Sequence, residues 1–216
     1  MELIKFLIDF VLHIDRHLHE IIVNYNTWTY LILFLIVFCE TGLVVTPFLP
    51  GDSLLFAAGT FAAIGALNIA ALLIVLFCAA VLGDNNNYFI GRFIGNKVYE
   101  KNYKLIKREY LEKTHAFYEK HGGKTVIFAR FMPILRTFAP FVAGVGTMKY
   151  PRFLIFSILG NLLWINIFCW AGYFFANNEF VKKNFSMVII GIIIVSLLPP
   201  IITVIREKLK PNHAKK

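Results

Sequence analysis

Four stretches of the chain carry no charge at all: Ile21 to Cys39, Ser53 to Gly83, Phe153 to Asn178 and Asn184 to Ile205. A helix needs about 20 consecutive apolar residues to cross a hydrocarbon core of roughly 30 Å. A buried helix of that length in a soluble protein normally keeps a polar face, and these stretches show none. The pattern predicts an all-α integral membrane protein.

Between the apolar stretches the pattern changes character. Residues 1–27 mix acids, histidines and aliphatics, and Leu3, Phe6, Leu7, Phe10, Leu12 and Ile14 fit one face of an N-terminal amphipathic helix at the membrane interface. Tyr25, Trp28 and Tyr30 are placed as interfacial anchors. A first membrane half, 28–91, is interrupted at Thr46-Pro47-Phe48-Leu49-Pro50-Gly51-Asp52, where two prolines and a glycine cannot continue a helix. It turns polar at Gly83-Asp84-Asn85-Asn86-Asn87, which reads as the approach to a helix end. Residues 92–124 are hydrophilic and basic, with helical character from Asn96 to His121 and a stop at Gly122-Gly123. This stretch reads as a solvated connecting helix rather than a reader of anionic headgroups. A second half, 125–205, is broken by Pro133, Pro140, Gly144 and Gly146, continues in spans near 151–177 and 184–205, and is kinked at Pro199-Pro200. The tail, 206–216, is basic.

The two interrupted segments resemble one another. Phe38 to Gly59 runs through acid, two prolines, acid and Ala58-Gly59; Phe128 to Gly144 runs through arginine, proline, arginine, proline and Ala143-Gly144. Each is followed by a glycine–polar pair near an aromatic: Gly83-Asp84 with Tyr88, and Gly160-Asn161 with Trp164. Paired interrupted segments are the mark of transporters built from inverted repeats. If the basic loop and tail are both cytoplasmic, the topology closes only when 47–66 and 125–147 are re-entrant hairpins entering from opposite faces, with crossings at 28–46 and 67–90 and both termini inside. Lys182-Lys183 then falls outside, as a minor exception.

Composition sharpens this picture little. The 216 residues are 58% hydrophobic and 16% charged, and the net charge of +9 is concentrated between spans and at the tail. That distribution follows the positive-inside rule and argues against a nucleic-acid partner. The start lacks a basic region and a small-residue cleavage site, so the first hydrophobic segment is expected to direct insertion. Cys39, Cys78 and Cys169 lie far apart in apolar runs and predict neither a disulfide nor a metal site. No cofactor is expected.

Ionisable groups at membrane depth cost about 2.5 kcal/mol or more each, so each one needs a reason to be there. Glu40 and Asp52 flank the first proline turn, and Arg130 and Arg136 frame the second break; Asp84 is an accessory candidate. One reading is structural: the acids pair with the arginines and pin two hairpins together. The other is functional. An acid removed from water can take up and release a proton near neutral pH. Paired guanidiniums can clamp a phosphate, and unwound helix ends offer it N–H groups. Glu40 and Asp52 are therefore expected to carry protons, and Arg130 and Arg136 to hold an anion, as two halves of one midplane site.

Competing chemistries fare less well. A lipid phosphatase needs a nucleophile with a nearby acid–base group, yet His13, His17, His19, His115, His121 and His213 all lie outside the apolar spans. No enzyme activity is expected. His13 and His17, one turn apart near Asp15, His19 and Glu20, have a spacing that suits a metal, but interfacial polar residues share that spacing and no metal is assigned. A scaffold has no need of buried ions.

The segments Phe38-Cys39-Glu40-Thr41-Gly42-Leu43 and Phe48-Leu49-Pro50-Gly51-Asp52-Ser53 occur in one chain with Gly83-Asp84, Tyr88 and Gly91-Arg92, and with Arg130 to Gly144. Together they resemble the DedA family, which includes the VTT-domain lipid scramblases. The resemblance covers nearly the whole chain. It implies a bacterial inner-membrane protein with two opposed re-entrant hairpins, essential acids at Glu40 and Asp52, and essential arginines at Arg130 and Arg136. It also implies membrane lipids as partners and undecaprenyl phosphate, or another polyprenyl phosphate or phospholipid, as substrate. Coupling to the proton motive force is implied too. Proton-driven ion or drug transport is the family's other association.

Overall fold

The computed structural model describes residues 14–43, 51–101, 123–146 and 148–176, together with isolated positions between 178 and 194. Every regular element among these residues is helical. Residues 1–13 of the expected amphipathic helix (1–27), residues 46–50 of the proline turn, residues 102–122 of the basic loop (92–124) and the whole tail lie outside the described residues. The last expected span, 184–205, is described only at scattered positions.

Helix α1 (Ile14–Tyr25) leads through a single 3₁₀ turn, Asn26–Trp28, into α2 (Thr29–Gly42). Helix α3 (Gly51–Ala63) and the turn that follows it feed α4 (Ile69–Lys101). That turn depends on Gly65, whose φ of +81° is a left-handed conformation that a side chain resists. Asn68 then caps α4, its side-chain oxygen accepting the Ala71 N–H at 3.0 Å. The second half comprises α5 (Lys124–Ala129), α6 (Pro133–Val145) and α7 (Tyr150–Phe175).

Helix lengths divide these elements into two classes. At 1.5 Å per residue, α2, α3 and α6, with 14, 13 and 13 residues, reach only about 20 Å and cannot cross the core alone. Helices α4 and α7 contain the apolar lengths Ile69–Gly95 and Tyr150–Phe175, 27 and 26 residues, which suffice. Both turn large apolar side chains outward, including Ile74, Phe89 and Phe93 on α4 and Ile155, Leu162 and Ile167 on α7. Water would penalise such a surface, whereas hydrocarbon does not.

The polar run at 83–87 does not end a helix. It sits in the middle of α4, which continues to Lys101, and Asp84 and Asn87 are fully buried. The expected helix end is thus corrected: these side chains face other helix ends instead of water.

The short helices pack on the long ones, α2 and α6 against α4 and α3 against α7. Two of the crossings are made alike. Where α3 meets α7, Gly59 lies on the Cys169 carbonyl and Gly172 on the Phe56 carbonyl, so that a Cβ on either would overlap backbone. Where α6 meets α4, Gly144 lies on the Tyr88 carbonyl and Gly91 on the Phe141 carbonyl. In all four helices the contacting pair is one carbonyl residue followed, one turn later, by glycine.

Candidate functional site

The break between α5 and α6 follows from Pro133. A residue before proline is pushed out of helical geometry, and Met132 is extended at φ −118°, ψ 110°. Arg130 therefore caps the end of α5, and Arg136 sits in the first turn of α6. On the other side, Glu40 lies in the last turn of α2 and Asp52 in the first turn of α3. All four, with Asp84 on α4, are withdrawn from solvent: Glu40 and Asp84 are 0% exposed, Arg130 1%, Arg136 3% and Asp52 6%.

Arg136 joins the two halves. Its Nη2 donates to Glu40 Oε1, and its Nη1 donates to Asp52 Oδ1 at 2.5 Å. An acid at a helix C-terminus opposes the helix dipole. Glu40 offsets this with Arg136 and with the Gly51 N–H at the start of α3, which donates to Oε1 at 3.1 Å. A Cβ on Gly51 would overlap the Glu40 carboxylate, which would have to shift from its present position.

Arg130 forms a second pair, with Asp84 Oδ2. The same oxygen accepts from Ser157 Oγ at 2.6 Å and Asn161 Nδ2 at 2.9 Å, both on α7. Trp164, also on α7, borders both pairs. Its Nε1 donates to Asp52 Oδ1 at 2.8 Å, and the Arg130 and Arg136 guanidinium carbons lie 5.7 and 5.3 Å from its ring centre, within cation–π range.

The asparagines after Asp84 hold the helix ends in place. Asn86 Nδ2 donates to the Gly42 carbonyl at 2.9 Å. Asn87 Nδ2 donates to the carbonyls of Thr41 at 2.5 Å and Thr137 at 3.2 Å, each next in sequence to Glu40 or Arg136. One amide thus fixes the backbone beside both members of the pair.

The sequence-derived site residues are all brought into the interior, but as two groups of unlike composition: Glu40 and Asp52 on Arg136, and Asp84 on Arg130. Asp84, the accessory candidate, is the ion-pair partner of Arg130. Sequence reasoning missed Ser157, took Asn87 only as part of a polar run, and took Asn161 and Trp164 only as repeat markers. Of the histidine cluster, His17 lies on α1, His13 falls outside the described residues, and nothing is described of the His19 side chain.

Counting every acid as ionised, three carboxylates face two guanidiniums, leaving one negative charge. Several polar atoms here are buried without a hydrogen-bond partner, among them Glu40 Oε2, Asp84 Oδ1 and Arg130 Nη1. Each such atom costs about 1–3 kcal/mol. Buried polar atoms without partners call for an explanation.

The VTT domain model matches residues 49–174. Protein DedA of Escherichia coli K12 is 55% identical over 219 residues, covering all of both chains. A membrane protein of Mycobacterium leprae, named as uncharacterized, is 47% identical over 168 residues, 77% of this chain and 75% of that one. The inner membrane protein YghB of Escherichia coli K12 is 30% identical over 208 residues, 93% and 92% of the two chains. No solved structure matches the chain.

Proposed function

Since the chain belongs to the DedA family of VTT-domain membrane proteins, we propose that it is a multi-pass inner-membrane transporter that flips a polyprenyl phosphate or another anionic phospholipid. Protons are the coupling ion. The observation that carries this reading is the buried cluster of three carboxylates and two guanidiniums, with its unbalanced charge and unused polar atoms.

An arriving phosphate competes with Glu40 and Asp52 for Arg136. In a low-dielectric interior the displaced acids cannot stay charged and unpaired. Protonation neutralises them and frees the guanidinium for a phosphate oxygen, so headgroup and proton enter together. Arg130 is the second anion ligand. Trp164 and the Gly51 N–H hold the acids while the site is empty of lipid.

The alternating access such a cycle needs follows from a repeat architecture. We read α2–α4 and α5–α7 as inverted repeats, and the short helices α3 and α6 as arms of re-entrant hairpins. The matched glycine crossings, α3 on α7 and α6 on α4, support this. Both termini are placed in the cytoplasm, and a C-terminal reporter found outside would overturn that placement. The role proposed is transport without bond chemistry.

One observation favours a second reading. A net negative interior holds a cation without rearrangement, as a proton-coupled ion or drug antiporter requires. Vesicles containing the purified protein and a labelled polyprenyl phosphate separate the two. Headgroup movement across the bilayer that responds to a pH gradient supports the flippase. Proton-coupled cation flux with a static headgroup supports the antiporter.

A further inference from the structure

Asp84 is held in an unusual way. A carboxylate has two oxygens and about four acceptor positions, yet Arg130, Ser157 and Asn161 all converge on Oδ2, while Oδ1 is buried without a partner. Arg130 is equally one-sided: its Nη2 makes an ion contact with Asp84 Oδ2, neither Nη2 nor Nη1 has a hydrogen-bond partner, and the two parallel bonds usual for a guanidinium and a carboxylate are not formed. Two hydrogen-bond donors on α7 and the ion-paired guanidinium thus meet at a single oxygen, while both Arg130 Nη1 and Nη2 are buried without a hydrogen-bond partner. That is the donor arrangement of a seat for a tetrahedral oxyanion.

We infer that Arg130, Ser157 and Asn161 form a phosphate seat in which the Asp84 carboxylate is a resident counter-ion that an incoming phosphate monoester displaces. This rests on the anion-carrier reading above and names the occupant and the exchange at one of its two arginines. A phosphate oxygen takes the donors of Oδ2, and a second oxygen takes Arg130 Nη1. Asp84, left buried without a cation, accepts a proton from water at its carboxylate and becomes neutral. When the phosphate leaves, the proton returns to water and the Asp84 pairs re-form. Each phosphate seated at Arg130 therefore brings a proton that Glu40 and Asp52 do not carry.

The surroundings allow this exchange. Arg130 comes from the α5–α6 break; α7 contributes only the neutral Ser157 and Asn161 to the carboxylate; and the α4 neighbours Asn85 and Asn87 are uncharged. The remaining buried charges, Glu40 on α2, Asp52 on α3 and Arg136 on α6, pair with one another.

The test uses the full-length protein in nanodiscs, with farnesyl phosphate as probe and farnesol and inorganic phosphate as comparisons. Titration calorimetry in buffers of different protonation heat counts the protons taken up. The wild type should bind the phosphates and not the alcohol. Equal binding of inorganic phosphate would show that the phosphate group alone is recognised; tighter binding of farnesyl phosphate would show that the chain contributes. Removing the competitor, Asp84→Asn should bind farnesyl phosphate about tenfold tighter or more and take up about one proton fewer. Ser157→Ala, which keeps Asp84, should bind about tenfold more weakly. A folded Asp84→Asn protein with unchanged affinity and proton count overturns the inference. If that variant does not fold, unchanged binding by Ser157→Ala overturns it instead. Wild-type protein that binds neither phosphate removes the anion-carrier reading itself, whereas wild-type binding that both substitutions leave unaltered removes only the seat at Asp84.

Discussion

Arg136 and Glu40 are 96 positions apart in the chain, yet the guanidinium of one closes on the carboxylate of the other. Each lies in the end turn of a helix too short to cross a membrane, so the pair joins two helix ends inside the protein. With Asp52 as second acceptor, it is both the tie between the halves and the place where charge is unbalanced.

Removing one member of this cluster should cost more than removing all of it. Arg136→Gln leaves two acids without their cation and should destabilise by about 3–5 kcal/mol. The triple variant Glu40→Gln, Asp52→Asn, Arg136→Gln should recover most of that loss. Denaturant titration in mixed micelles measures both. Transport should be lost in both, which separates stability from function; transport by the triple variant would reduce the cluster to a tie.

Asn87 offers a cleaner test of positioning. Asn87→Leu keeps the volume and deletes the two hydrogen bonds beside Glu40 and Arg136. The expected loss is about 1–3 kcal/mol of stability, with a fall in transport larger than that loss alone explains. Flux per folded molecule in vesicles is the measurement, and an unchanged value would count against a positioning role.

The glycine crossings predict a symmetry in energetics. Gly172→Ala and Gly91→Ala each force a methyl group into a backbone carbonyl, and each should cost about 1–3 kcal/mol. If the crossings are equivalent halves of a duplicated unit, the two penalties should agree within about 0.5 kcal/mol. A large penalty at one crossing and none at the other would separate them.

Cys78 is exposed on α4 and Cys169 is buried on α7. In intact membranes a lipid-soluble maleimide should label Cys78 while a charged, impermeant one should not, and Cys169 should resist both until the protein is denatured. Peptide mass mapping reads the result. Rapid labelling of Cys78 by the impermeant reagent would place that face of α4 in water.

Much of this site was legible in the sequence because charge at membrane depth is costly. Glu40, Asp52, Arg130 and Arg136 stand out on that ground alone. Asp84 reads as lying near a helix end because Asn85, Asn86 and Asn87 follow it, and a polar run after glycine reads as a helix end. Only the fold shows that Asn86 and Asn87 spend their amides on the carbonyls of Gly42, Thr41 and Thr137. Ser157, Asn161 and Trp164 were hidden by the opposite effect, as uncharged residues in an apolar span. Their spacing of four and then three residues marks one helix face, and that was the available signal. The span of α7 was legible from its apolar length. The halt of α2 at Gly42 was not, because apolar residues continue past it to Val45.

The central claim is that anionic headgroup and protons move together through the buried charges. Its most direct test records headgroup translocation and luminal pH simultaneously in the same vesicles, for the wild type and for Glu40→Gln. Proton movement should accompany headgroup movement in the same direction and in fixed proportion, and both should vanish in the variant. Headgroup movement with no accompanying protons, or flux that survives in Glu40→Gln, would contradict the account.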